Sequence, residues 1–174
     1  MDIRRVVTGH REGKAVFASD EIVPAAEFGA GGAFHLLWGG DATPRYPDDG
    51  AMPEWSAVFP PVGGRRFLFL TLPPEQAGNG AGGSGASRLN ETLTESMADV
   101  MEADEPGMHT TATIDFEVVL SGEVTLELDD GAEVTLRPFD CVVQNGTRHR
   151  WHNRGTEPAT MVVFIAGAEH DAVG

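Results

Sequence analysis

The chain has 174 residues, 41% hydrophobic and 22% charged, which suits one folded domain and is too apolar for intrinsic disorder. Its 12 Lys and Arg stand against 27 Asp and Glu, a formal charge of −15, which repels phosphate backbones and anionic membrane surfaces and argues against nucleic acid as a partner. Cys141 is the single cysteine, so neither an intramolecular disulfide nor a cysteine-based zinc cluster is available.

Residues 1–77 read as a strand-and-loop extension. Arg5–Thr8 and Ala15–Ala18 flank a glycine-containing turn and predict a hairpin; Phe34–Trp38 and Arg66–Leu72 are further strands. Pro44, Pro47, Gly50, Pro53, Pro60, Pro61, Gly63 and Gly64 predict an irregular, wrapping segment between them. Residues 78–87, GNGAGGSGAS, have the composition of a flexible loop. A helix is predicted over 88–103, with Leu89, Leu93, Met97, Val100 and Met101 on one packing stripe and Ser87 as N-cap. The opening residues, Met1 to Gly13, hold no apolar stretch of the length a secretory leader needs, and no run approaches a bilayer span. A cytoplasmic protein without membrane contact is expected.

From Met108 onward the pattern is all strand. Ile114, Phe116, Val118 and Leu120 alternate with Asp115, Glu117, Val119 and Ser121. Val124, Leu126 and Leu128 follow, and Asp130-Gly131 is a hairpin turn. Val134–Leu136, Cys141–Val143, His149–Asn153 and Thr160–Ala166 complete the series, the last apolar on both faces and so expected to be buried on both. Short strands with Gly and Pro corners argue an all-β sandwich or barrel carrying one helix, with 104–168 as its core.

His109 lies six residues before Asp115, and Glu117 shares the face of Asp115. His149, Trp151 and Asn153 share one strand face; Arg148, Arg150 and His152 share the other, outward one. The residues alone leave two readings of Asp115 and Glu117. They face water from a half-exposed sheet, or they face an interior where a carboxyl pair needs a metal, a cation or a proton. Like charges one residue apart on a face repel, so one carboxyl titrates high and can act as a general acid. His35, Trp38 and Trp55 are candidates for closing a barrel mouth or for ordinary packing. Cys141 is expected to be a small buried hydrophobe.

The segment from Gly107 to Asn153 resembles the conserved barrel of the cupins. The family's first motif, G-x5-H-x-H-x3–4-E-x6-G, anchored on Gly122, places His109 at the first histidine, Thr111 at the second and Asp115 at the glutamate. Its second motif, P-x-G-x2-H-x3-N, aligns Gly146, His149 and Asn153, with Gln144 where proline is usual. Phe139 replaces the common glycine of the preceding corner. The resemblance covers Gly107–Ala166. It implies a double-stranded β-helix, or jelly roll, with 1–77 a family-variable extension whose strands pair across a homodimer. It also implies a divalent metal (Fe, Mn, Zn or Ni) on His109, Asp115 and His149. Thr111 is no substitute for an imidazole ligand, but it joins Trp151 as an expected pocket residue. Glu117 is the expected proton donor or acceptor, working with His149 and Asp115. The implied function is metal-assisted lyase or isomerase chemistry (decarboxylation, dehydration or tautomerisation) on a small keto, hydroxy or aromatic acid. The alternatives are an Fe(II)-dependent dioxygenase and a metal-free cupin that binds a small ligand as sensor or carrier.

Overall fold

A computed structural model describes residues 2–28, 31–77 and 88–171. The loop expected at 78–87, with its Ser87 cap, lies outside them. Strands β1 (Arg4–Arg11) and β2 (Lys14–Ile22) form the expected hairpin. Glu12 and Gly13 both take positive φ (51° and 75°), the two-residue turn whose twist matches that of the strands. This hairpin is a sheet by itself.

Strands β3 (Ala26–Phe28), β4 (Gly32–Gly40) and β5 (Arg65–Leu72) come from the extension. They are followed by helix α1 (Arg88–Val100), β6 (Thr113–Ser121), β7 (Val124–Glu127), β8 (Glu133–Leu136), β9 (Cys141–Gln144), β10 (Arg150–His152) and β11 (Ala159–Gly167). A six-stranded antiparallel sheet runs in the order β3-β4-β5-β11-β6-β9, and a three-stranded one in the order β10-β7-β8. Phe34, Leu36, Leu68, Val119, Met161 and Val163 of the larger sheet form one core with Val124, Leu126 and Leu136 of the smaller. The fold is the all-β barrel expected, and the extension supplies three strands of its main wall. Among the described residues no helix is long and apolar enough to cross a membrane.

The period-two alternation of β6 sorts its side chains sharply. Thr113, Asp115, Glu117 and Val119 point inward and are buried, whereas Phe116 and Leu120 are 45% and 39% exposed. The expectation that β11 is covered on both faces is corrected here: Phe164 is also 39% exposed. Strands β3 to β5 widen the sheet edgewise instead of covering its outside. Register then places Trp38, Phe67, Phe164, Phe116 and Val143 in one row across five strands. Cys141, expected to be buried, is exposed on the edge strand β9 of the same sheet.

Helix α1 ends before the expected Ala103 because Met101 pairs instead with His109 in an antiparallel bridge. The wrapping segment between β4 and β5 is held by Arg66, a fully buried guanidinium. Its Nε and Nη2 donate to the Ala57 carbonyl, Nη1 to the Gly40 and Arg65 carbonyls, and Nη2 also to Asp41 at 2.6 Å. Trp55 stacks against this guanidinium, 5.7 Å from ring centroid to Cζ, which settles its role as packing.

Two corners show where glycine is required. Gly122, between β6 and β7, has φ 75°, and a Cβ there would lie 2.7 Å from Ala159. Phe139 keeps the left-handed backbone of the usual glycine, φ 76°, while its side chain is exposed. Phe139→Gly should therefore stabilise the protein by about 1 kcal/mol, read by urea unfolding; an unchanged midpoint would contradict the strain.

Candidate functional site

The centre of the site is a pair of residues outside the long strands. His109 and His149 form an antiparallel bridge, each backbone N–H donating to the other's carbonyl at 2.9 Å. This brings their rings to a centroid distance of 4.2 Å. Nδ1 of His109 is 3.0 Å from the Gly107 carbonyl, and Nδ1 of His149 is 2.9 Å from the Thr147 carbonyl. A carbonyl only accepts, so both rings carry their proton on Nδ1 and leave Nε2 as a lone pair. Gln144, which stands in the usual proline's place, pins the turn before His149: its amide donates to the Thr147 carbonyl at 2.9 Å and also to the Thr147 hydroxyl.

Both histidines line a cavity of about 490 Å3 together with Asp115, Glu117 and Trp151. The water-facing reading of the carboxyl pair is therefore ruled out. Asp115 Oδ1 and Glu117 Oε2 are buried without a hydrogen-bond partner. Burial pushes the Glu117 carboxyl up to about 8, with the Asp115 charge adding to the push. Burial likewise raises Asp115 to about 6, against a hydrogen bond from the Thr113 hydroxyl. The imidazoles move the other way: burial and the neighbouring His109 lower His149 to about 4, and burial lowers His109. At neutral pH the cavity thus holds two uncharged imidazoles, a protonated Glu117 and an ionised Asp115.

Thr111 departs from its expected place. Its hydroxyl bonds that of Thr113 at 2.8 Å, and it is not among the cavity-lining residues. Asn153 of the second motif is structural, donating to the Leu72 and Glu157 carbonyls at 2.9 Å. Neither His35 nor Trp38 closes the mouth: His35 is buried in β4 beside Phe69 of β5, and Trp38 lines a separate groove beneath β1. The wall that sequence reasoning missed is α1, whose Leu93, Met97 and the following Met101 face the cavity. The Leu/Met stripe was the available signal, read only as packing.

The two-histidine, one-carboxylate set has the donor types a divalent ion takes, with both Nδ1 atoms tied as in a metal-bound imidazole. Its spacing does not fit. Donors in a shell at roughly 2.0–2.2 Å lie at most about 4.4 Å apart, yet His109, Asp115 and His149 do not bring three ligating atoms within 4.8 Å of one another. Among the described residues the group that does is Glu127, Glu133 and His152, on the outer face of the smaller sheet. Its carboxylates are already engaged by Arg150 and Arg154, and His152 bridges Glu127 and Glu75. Arg148 joins this outer surface through Glu102, Glu105 and Asp129.

A β-barrel with a histidine–carboxyl cavity between its sheets defines a cupin, and comparison with known proteins agrees. Residues 97–165 match the family model described as a cupin domain. The chain is 32% identical over 164 residues to Phomopsin biosynthesis cluster protein C' of Diaporthe leptostromiformis, which covers 92% of this chain and 76% of that one. The chain belongs to the cupin family. A shorter stretch of 72 residues is 35% identical to the cupin-domain-containing oxidoreductase fogC of Aspergillus ruber, covering 40% of this chain and 36% of that protein. Among solved structures, the cupin domain of Schizosaccharomyces pombe Cnp3 covers 95% of this chain and 87% of its own, at 10% identity and TM-score 0.46.

Proposed function

We propose that the protein is a cupin enzyme of the lyase or isomerase kind, which moves a proton on carbon beside a substrate carbonyl through side-chain acid–base catalysis. The observation that carries this reading is Glu117, a buried carboxyl with an unpartnered oxygen, in one cavity with an ionised carboxylate and two neutral imidazoles. Glu117 donates its proton to the carbonyl oxygen while Asp115, the carboxyl that is ionised at neutral pH, takes the proton from the α-carbon. The product is the enol; a solvent-derived proton returned to the same carbon regenerates the ketone with its hydrogen exchanged, and a proton returned to a different carbon completes an isomerisation. The Nε2 lone pairs of His109 and His149 accept from a substrate hydroxyl and orient it.

The probe is 2-acetylnaphthalene in D2O, its methyl signal followed by proton NMR. Wild type should accelerate methyl exchange over buffer, and EDTA should leave the rate unchanged; no acceleration would sink the reading. The tied Nδ1 atoms favour one second reading, metal-assisted catalysis, under which EDTA abolishes exchange and added Zn, Mn or Ni restores it. Oxygen uptake dependent on Fe(II) would instead identify the dioxygenase alternative.

We also infer that a second copy of the chain covers the Phe164, Phe116 and Val143 end of the aromatic row on the larger sheet. A flat apolar face can meet its own copy across a two-fold axis, and the β1–β2 hairpin, with Phe17 80% exposed, makes a sheet too small to be stable alone. Light scattering should give the mass of a dimer, and Phe116→Asp with Phe164→Asp that of a folded monomer. A monomeric wild type would refute the interface.

A further inference from the structure

The cavity is chemically lopsided. Its ionisable groups come from β6 and the His109–His149 bridge, while α1, β4, β5 and β11 contribute side chains such as Leu93, Met97, Phe34, Leu70 and Ile165. The polar exception on α1 is Thr94, whose hydroxyl already donates to the Asn90 carbonyl. No lysine or arginine is among the described residues that line it. Among the described side chains, Arg66 is engaged by backbone carbonyls and Asp41, and Arg148 and Arg150 by outer-face carboxylates.

We infer that the cavity takes an uncharged, largely apolar substrate, which presents one carbonyl or hydroxyl head to the His109, His149 and Glu117 end. This rests on the acid–base reading for the role of that end, and it replaces the carboxylic acid expected from the sequence. A substrate carboxylate, or a phosphate, would bury its charge beside two carboxyl groups with no counterion among the described lining residues, which is far less favourable than leaving it in water. The formal charge of −15 works in the same direction by repelling anions on approach. An uncharged molecule meets neither penalty. Its apolar body is matched by the aliphatic and aromatic walls, and about 490 Å3 lies in the roughly 300–1,000 Å3 range of small-molecule sites.

The test uses two probes of nearly the same shape, 2-acetylnaphthalene and 2-naphthoate, titrated into the full-length protein at pH 7.5 by calorimetry. The ketone should bind at least about tenfold more tightly than the carboxylate. Equal affinity, preference for the carboxylate, or no saturable binding of either probe would overturn the inference. Leu93→Trp and Met97→Trp place the probe: each fills the cavity from α1, and each should weaken ketone binding by at least about tenfold. Thermal unfolding verifies that the variants fold. Unchanged ketone affinity in a folded variant means the probe binds elsewhere and refutes the proposal. The two readings fail separately. A wild type that prefers the ketone but does not exchange its methyl protons sinks the acid–base mechanism alone. One that exchanges them yet prefers the carboxylate sinks the substrate class alone.

Discussion

Glu117→Gln should cut methyl exchange by about 10²- to 10⁴-fold while leaving the protein more stable than wild type. The amide keeps the shape of the side chain but has no proton to give. In wild type the rate should rise as pH passes about 6, where Asp115 loses its proton, and fall as pH passes about 8, where Glu117 loses its own. The stability effect has a definite sign. In the unfolded chain Glu117 ionises near its ordinary value of 4.5, whereas in the folded chain it holds its proton up to about 8. Its contribution is fully present below the ordinary value and is lost as pH rises through the folded one, a loss on the order of a few kcal/mol. Gln carries no such loss, so the variant and wild type should unfold alike near pH 4 and diverge towards pH 8. Each kcal/mol is worth about 2–4 °C in Tm for a chain of this size. A variant that loses activity and also melts earlier at pH 8 would show that Glu117 is a structural ionised group.

The second large effect belongs to Arg66, which does no chemistry. Arg66→Met should destabilise the fold by roughly 3–5 kcal/mol, read by urea unfolding, because it strips the Ala57, Gly40 and Arg65 carbonyls and the Asp41 carboxylate of donors at once. Arg66→Lys should recover less than half of that loss, since an ammonium has three donors and cannot span a planar fork of acceptors. Full stability in the lysine variant would mean that charge alone holds the segment.

The strand series from β6 to β11 was legible because alternation and Gly/Asp corners repeat at short spacing, and the cupin resemblance turned an all-β pattern into a barrel. The same resemblance decided which way Asp115 and Glu117 face, a question that alternation alone leaves open. Three things were not legible. The outer faces of β6 and β11 look as apolar as buried ones in sequence, and only the exposure of Phe116, Leu120 and Phe164 in three dimensions shows that they are left partly open. The spacing of His109, Asp115 and His149 matches a ligand motif, but motif spacing carries no interatomic distance, so the spread of their donor atoms appears only in three dimensions. Gln144 read as a departure from proline, and its actual work, fastening Thr147, depends on side-chain contacts that no pattern encodes.

Helix α1 differs from every other wall of the cavity in how it is attached. Each strand that lines the interior is hydrogen-bonded to neighbours, and a one-residue slip in any of them would exchange its inner and outer sets of side chains. The helix satisfies most of its own backbone and meets the rest of the chain through side chains such as Leu89, Leu93 and Met97, through the Ser96 hydroxyl, which accepts from the Val58 N–H at 3.0 Å, and through the Met101–His109 bridge just beyond its end. Changes at Leu93 should resize the chamber with strand register unchanged. The ionisable end of the cavity is thus fixed by strand β6 and the His109–His149 bridge, while much of its apolar wall sits on the helix. In a laboratory evolution experiment, new substrate range should accumulate on α1 first, with β6 left untouched.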